Sequence, residues 1–179
     1  ACNRAATPAC LLALHALDAS LVTLKDAIGN SPMCPIAWWG YWGADADAQV
    51  AMIRAGGALD ARMLAEGNNW QYTPLHMICW VHGFRWARMH PAAIDALYAL
   101  NPAMLRARDQ EGRTPLLSLC ARGGPLALIE HVAALDAALT AELGLTPLHL
   151  ACYAGDVTVA AVRGAATAPD AAKAEDARG

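Results

Sequence analysis

Apolar residues along the chain fall into short blocks, and several of these blocks open on a hydroxyl residue followed by proline. Three blocks share one phrase, which reads TPLHMIC from Thr73, TPLLSLC from Thr114 and TPLHLAC from Thr146. Weaker copies begin at Thr7 and Ser31. Threonine and serine are favoured helix N-caps, and proline suits the first helical turn. The pattern therefore predicts five helix starts.

A second apolar helix is predicted after each of the last four starts. Glycine follows the helix-start proline by eight residues at Gly40, Gly123 and Gly155, and by nine at Gly83. A glycine there can take the left-handed conformation that ends a short helix. The predicted second helices cover residues 46–55, 92–100, 125–134 and 157–163. The sequence thus predicts antiparallel helix pairs in a repeat architecture.

These features resemble the ankyrin repeat. The resemblance rests on the TPLH phrases at Thr73 and Thr146, on Gly155 and on the stretch 101–115. Within it, residues 105–116 are similar to the hairpin finger that leads into the next helix in that family. The resemblance implies an all-α solenoid of about five helix pairs joined by short β-hairpin fingers.

The spacing departs from the family period of about 33 residues, since the intervals between helix starts are 24, 42, 41 and 32 residues. A long finger region around 66–70 and an insertion at 81–90 predict enlarged second and third units. The short first unit predicts a degenerate N-terminal cap, because terminal repeats are often atypical. We expect a repeat domain at 1–164 and an alanine-rich, charged tail at 165–179.

Charge and hydropathy narrow the classes of partner. The chain of 179 residues has a formal net charge of −3 and no run of lysine or arginine, which argues against nucleic acid. Its longest apolar stretch, 11–24, is interrupted by His15 and Asp18, so we expect no transmembrane segment. Charged residues make up only 16% of the chain, which suits an apolar contact with another protein.

Three of the six cysteines, Cys79, Cys120 and Cys152, hold the same position in the repeated phrase. Equivalent positions of successive repeats face one another, and a free cysteine is a good small core residue. We therefore expect these thiols to be buried and reduced, in an intracellular reducing compartment such as the cytoplasm, the nucleus or an organelle interior. Gly112 and Gly155 are expected to be turn residues with a positive φ.

A zinc site is not expected. Cys79, His82 and His90 offer suitable ligand types, but no fourth ligand lies nearby in the sequence. The resemblance assigns His76 a structural role, in which it bonds the backbone at the helix start. We predict no metal and no cofactor.

A catalytic site is not expected either. Ser118 or Cys120 could serve as a nucleophile, with His131 and Glu130 acting together as the general base. Nothing in the sequence supplies an oxyanion hole or a third orienting group. We therefore predict that the protein is not an enzyme.

Tryptophan is unusually frequent, with six residues against one phenylalanine. The position seven residues after each helix start holds Trp38, Trp80 and Tyr153 in three of the units. In the ankyrin family this position lies near the concave surface, and equivalent positions of stacked repeats stand about 10 Å apart. Aromatic clusters are typical of interaction hot spots. The predicted partner-binding residues are Trp38, Trp39, Trp42, Trp80, Trp86 and Tyr153.

A second interpretation of the tryptophans stays open. Each one buries about 200 Å², so Trp70 could pack within the long finger and Trp86 within the insertion. Each would then form a small local core of its own segment. The leading functional hypothesis is a non-catalytic interaction module, and in its sharper form a structural or accessory subunit of a larger protein assembly. One alternative is a transient adaptor or inhibitor. Another is a subunit that contacts a pigment or small cofactor through Trp80, His82, Trp86 and His90.

Overall fold

The computed structural model describes residues 7–38, 45–80 and 89–167. This part of the chain is helical and contains no β-strand. Two short 3₁₀ helices cover Ala19–Val22 and Pro102–Arg106. The α-helices are α1 (Pro8–Leu17), α2 (Met33–Ala37), α3 (Ala46–Leu59), α4 (Arg62–Ala65), α5 (Pro74–Cys79), α6 (Pro91–Leu100), α7 (Pro115–Ala121), α8 (Leu126–Leu135), α9 (Ala137–Glu142), α10 (Pro147–Tyr153) and α11 (Val159–Ala166).

All five predicted helix starts are confirmed, by α1, α2, α5, α7 and α10. The expected capping bond is present at three of them, where the hydroxyls of Thr73, Thr114 and Thr146 accept the backbone N–H three residues later. Thr7 caps α1 without a side-chain bond. The hydroxyl of Ser31 instead donates to the carbonyl oxygen of Met63 at 2.9 Å. At Ser31 the predicted helix start is right and the predicted cap is wrong, because the hydroxyl bonds a distant carbonyl oxygen instead of the helix N-terminus.

The predicted second helices are also confirmed, as α3, α6, α8 and α11. Helices α2, α5, α7 and α10 pack on one another in that order, and α3, α6 and α8 do the same. The fold thus has an inner and an outer layer of helices. Buried leucine, isoleucine and methionine side chains fill the space between them, among them Met33, Ile53, Leu75, Ile94 and Leu116.

A short helix that the sequence analysis did not predict follows the outer helix of several units. Its start is set by an aspartate or asparagine, because the side chains of Asp60, Asn101 and Asp136 each accept a backbone N–H two or three residues later. Asp18 does the same at Ala19–Val22. These residues end one helix and start the next, so the chain reverses within a few residues.

Tight loops stand at the two predicted fingers, around 66–70 and within 105–116, and a third loop of the same kind precedes Ser31; we identify them by their first residues, Asp26, Asn68 and Asp109. In each, the first N–H bonds the carbonyl oxygen four residues on, and the fourth N–H bonds the first carbonyl oxygen. The first side chain also accepts two backbone N–H groups. The fourth residue has a positive φ in every loop, and it is glycine in the first and third and Gln71 in the second.

The segment before Thr146 has no loop of this kind. Helix α9 continues almost to the turn at Gly144, which has a φ of +68°. The N–H of Leu145 then bonds the carbonyl oxygen of Thr140 at 3.1 Å.

The prediction for the three cysteines is right for two of them. Cys79 and Cys120 are buried, whereas Cys152 is exposed. Helix α7 packs over α5 and carries Cys120 towards Cys79. No described element covers Cys152, so its equivalent position in the phrase does not bury it.

Of the two predicted turn glycines, Gly112 has the expected positive φ of +74°. The prediction for Gly155 is wrong, because the left-handed glycine at this junction is Gly123, with a φ of +63°. Gly155 instead lies close against the backbone of Gly123. A β-carbon there would collide with the backbone carbonyl of Gly123.

Several predictions lie outside the described residues. These concern Trp39, Trp42 and Trp86, nearly all of the insertion at 81–90, and most of the tail at 165–179. Among the described helices, none has the length and hydropathy that crossing a membrane requires.

Candidate functional site: an aromatic groove

An open groove of about 400 Å³ lies between the first two loops and the inner helices α2 and α5. We call it the aromatic groove. Its apolar lining consists of Ile28, Trp38, Trp70, Tyr72, Met77 and Trp80. Asn30, Asn68 and Glu111 add polar groups at the loop side.

Tyr72 is the centre of the aromatic lining. Its ring centroid lies 6.5 Å from that of Trp70, 6.0 Å from that of His76 and 5.9 Å from that of Trp80. These separations are within the range of favourable aromatic pairs. The guanidinium of Arg113 also donates to the Tyr72 hydroxyl, at 3.3 Å. The tyrosine is therefore held in place from both ends.

The ring of Trp80 is in contact with the side chain of Arg122. The guanidinium carbon of Arg122 lies 4.1 Å from the ring centroid, which is a cation–π contact. Arg122 comes from the end of α7, one unit further along the chain. A ring of the groove lining thus already binds a guanidinium.

Asn68 fixes the backbone that presents the aromatic side chains. Its Oδ1 accepts from the N–H of Trp70 at 2.9 Å and from the N–H of Tyr72 at 3.0 Å. Its Nδ2 donates to Oδ1 of Asn30 at 2.9 Å. This last bond joins the first loop to the second, so both loops form one wall of the groove.

In the third loop, the guanidinium of Arg113 pairs with two carboxylates. Asp109 accepts from Nε of Arg113 at 3.0 Å, and Nη1 of Arg113 lies 2.6 Å from Oε2 of Glu111. The Asp109 side chain is fully buried, whereas that of Glu111 is 64% exposed. The Asp109–Arg113 pair is internal to the loop, and the Glu111 carboxylate faces solvent at the groove.

The three loops are also bonded in a row. The N–H of Asn69 donates to the carbonyl oxygen of Ile28, and that of Gln110 donates to the carbonyl oxygen of Trp70, both at 3.1 Å. Ile28 and Trp70 are the third residues of successive loops, and they are 43% and 46% exposed. Two neighbouring, hydrogen-bonded loops thus each present an exposed apolar side chain from the same position.

The predicted site residues are only partly brought together. Trp38 and Trp80 line the same groove, and both are half-buried. Trp38 also packs against the core, as does Tyr153, which lies on α10 and does not line the groove. Trp39, Trp42 and Trp86 belong to segments that the structure does not describe.

Trp70 and Ile28 were missed as site residues. Their shared position becomes visible once the loops are aligned on Asp26, Asn68 and Asp109, because both stand two residues after the first residue. The residue spacing to the next helix start is the same in all three loops, since Ser31, Thr73 and Thr114 each follow five residues later. That signal was in the sequence.

His76 has the structural role that the resemblance implies. Its Nδ1 accepts from the N–H of Thr73 at 3.3 Å, so its Nε2 carries the proton and donates to the carbonyl oxygen of Arg113 at 3.0 Å. Burial lowers the pKa of His76 below its usual value, because desolvation disfavours the charged ring. The neutral ring joins α5 to the third loop.

The other candidate chemical groups are engaged elsewhere. Burial raises the pKa of the Cys79 thiol far above its ordinary value, so at neutral pH it stays a thiol and is a poor nucleophile. Nε2 of His131 lies 2.7 Å from Oδ1 of Asp95 on the outer helices, and Ser118 is buried on an inner helix. No group of potential metal ligands occurs within residues 7–38, 45–80 and 89–167.

The family model of the ankyrin repeat matches residues 143–163, which hold α10 and the beginning of α11. This segment is similar to an ankyrin repeat. The resemblance inferred from the TPLH phrase is thereby confirmed at its second copy. Ankyrin repeats are typically non-catalytic units that bind other proteins, and stacked repeats form extended concave binding surfaces. No curated protein matches the chain.

Proposed function

We propose that this protein is a non-catalytic protein–protein interaction module that binds an exposed segment of its partner in the aromatic groove. The observation that carries the proposal is Trp70, a 46% exposed tryptophan on a loop whose backbone is fixed by Asn68. Exposed aromatic side chains held in one conformation are the usual anchors of protein interfaces, because little entropy is lost on binding.

The proposal includes the architecture around the groove. Five ankyrin-like units follow one another, with a degenerate first unit and enlarged second and third units. The tight loops take the place of the hairpin fingers, and the inner helices form the opposite wall. The aromatic groove is then the concave surface of the second and third units.

The proposal also includes membership of a larger protein complex and a cellular compartment. Val159 is 69% exposed and Leu100 is 37% exposed, and charged residues make up only 16% of the chain. This supports a structural or accessory subunit of a multi-subunit protein complex, with no role for nucleic acid. The five described cysteines form no disulfide, which supports an intracellular reducing compartment.

Affinity capture with two matched variants tests the proposed function. Trp70→Ala removes the exposed ring from the groove, and Leu17→Ala removes an exposed apolar side chain on α1. Proteins recovered by the wild type and by Leu17→Ala should be lost with Trp70→Ala, as quantified by mass spectrometry. Thermal unfolding of both variants should stay close to that of the wild type.

Recovery of the same proteins by all three chains would contradict the proposal. Loss of binding that is accompanied by unfolding of Trp70→Ala would also contradict it, because Trp70 would then be a core residue.

A further inference from the structure

The third residues of the three loops form a graded row along the groove. They are Ile28, Trp70 and Glu111, and all three line the groove. The row begins with an exposed aliphatic side chain, continues with an exposed aromatic ring and ends with a carboxylate that is 64% exposed. A partner that matches this row needs an apolar side chain at one end and a cation at the other.

We propose that the aromatic groove binds an extended segment of the partner protein that carries an apolar residue and an arginine three positions apart. The proposal rests on the proposed function and names the chemistry of the partner at the same site. The guanidinium pairs with Glu111 beside the ring of Trp70, and the apolar side chain packs against Trp70 and its apolar neighbours in the lining.

Charge complementarity carries the first part of the proposal. Glu111 is the charged residue of the groove lining. Arg113 serves both Asp109 and Glu111, so this cluster of three keeps a net negative charge. The contact of Glu111 with Arg113 uses Oε2, and a carboxylate can accept several hydrogen bonds through its two oxygens. A guanidinium from a partner can therefore bind the outer side of Glu111.

Arg122 shows why the cation is arginine rather than lysine. Its guanidinium lies against the ring of Trp80 at 4.1 Å, in the same lining. A planar guanidinium is weakly hydrated and stacks on an aromatic face while its edge still donates to a carboxylate. An ammonium group is compact and strongly hydrated, and so gains less from rings that stay half open to water.

The spacing follows from the repeat. Equivalent positions of successive loops stand about 10 Å apart, as packed helices do. An extended chain advances about 3.3 Å per residue, so one repeat corresponds to about three residues. An arginine at Glu111 thus places the residue three positions away near Trp70 and its apolar neighbours. The three loop residues do not determine the direction in which the partner segment lies along the groove, so peptides of both sequence orders are used in the test.

The test uses capped tetrapeptides and the wild-type protein. The probes are Leu-Ser-Ser-Arg and Arg-Ser-Ser-Leu, and each is paired with the same peptide carrying citrulline, the uncharged near-isostere of arginine. Binding is followed by the indole and backbone N–H signals in NMR titrations. Saturable shifts of the NMR signals of the second and third loops are expected with at least one arginine peptide. The matching citrulline peptide should bind at least about fivefold more weakly.

Two glutamate variants assign the charge. Glu111→Gln should lower the affinity for the arginine peptide to that of the citrulline peptide and leave the latter unchanged. Glu142→Gln is the matched control, because Glu142 is a similarly exposed carboxylate that pairs with Arg106 outside the groove. It should bind both peptides as the wild type does.

Equal binding of arginine and citrulline peptides would overturn the proposal, as would the absence of any saturable shift. Tighter binding of the peptides when trimethyl-lysine replaces arginine would show an ammonium site and overturn it as well. If Trp70→Ala loses its captured partners while no peptide binds, the arginine chemistry fails and the proposed function stands. If arginine peptides bind while capture is insensitive to Trp70→Ala, the proposed function fails.

Discussion

The two copies of the TPLH phrase have the same local structure but different surroundings. At both Thr73 and Thr146, the hydroxyl accepts the N–H of the histidine, and the histidine Nδ1 accepts the threonine N–H. His76 is completely buried and reaches the next loop, whereas His149 is half-exposed. The phrase thus determines the helix cap, while the unit that packs on it determines burial.

The neighbouring unit accounts for the difference. Helix α5 is covered by α2 on one side and by α7 on the other. Helix α10 packs against α7, α8 and α11, and α11 has no buried residue. An identical phrase should therefore contribute more stability at α5 than at α10, and paired substitutions measure this difference.

The largest expected difference concerns the leucine of the phrase. Leu75 is fully buried and Leu148 is half-exposed. Leu75→Ala should lower the free energy of unfolding by about 3 kcal/mol, because it leaves a cavity among packed helices. Leu148→Ala should cost about 1 kcal/mol, because less apolar area is removed from a partly exposed site. Urea unfolding of both variants measures this, and equal losses would contradict the comparison.

The next difference concerns the cysteine of the phrase. Cys79 is buried, with a raised pKa due to desolvation, and Cys152 is exposed. Cys79 should react with a thiol reagent about a hundredfold more slowly than Cys152, since it reacts only after local opening. Mass spectrometry of the labelled peptides over time resolves the two sites. Similar rates would mean that α5 opens as readily as α10.

The histidine pair should differ by a smaller amount. His76→Ala should cost about 2 kcal/mol, because it leaves the carbonyl of Arg113 without its donor in a mostly buried site. His149→Ala should cost less than about 1 kcal/mol, because water replaces the lost bonds. Both values come from urea unfolding at neutral pH. A larger loss for His149→Ala would contradict the proposed role of burial.

The pH dependence is the smallest of these effects. Burial lowers the pKa of His76 in the folded state, while in the unfolded chain it titrates near 6.5. Below that pH the unfolded chain takes up a proton that the folded protein does not. Stability is therefore fully present above about pH 6.5 and decreases as the pH falls towards the lowered folded pKa.

Urea unfolding between pH 5 and 7.5 measures this effect. His76→Gln should show a flatter dependence than the wild type, and His149→Gln is the control. An unchanged slope in His76→Gln would mean that His76 has the same pKa in the folded and unfolded states, which would contradict its lowered folded pKa.

Much of the helical layout could be predicted from the sequence, because helix starts depend on local chemistry. The hydroxyl–proline pairs gave every inner helix, and the apolar blocks gave the outer ones. The bond from Ser31 to Met63 could not be predicted, because it joins residues that lie far apart in the sequence. The close contact of Gly155 with Gly123 could not be predicted for the same reason.

The candidate site was predicted less completely than the helices. Trp38 and Trp80 were identified from their equal position in the inner helices, and they do share a groove. Trp70 was left open between the aromatic surface and a local core of the long finger, and it was not among the predicted partner-binding residues. The turn is set by the two N–H bonds that Asn68 accepts, and these place the Trp70 side chain at the groove.

Photocrosslinking at the loop row tests the central claim most directly. Benzoylphenylalanine in place of Trp70 keeps a large aromatic side chain at the groove, and the same residue in place of Leu17 reports on another exposed apolar position. Illumination in extract should join a partner protein to position 70 and not to position 17, with the attachment site in an exposed segment of the partner. Adducts at position 17 alone, or equal adducts at both positions, would contradict the claim that the aromatic groove is the interface.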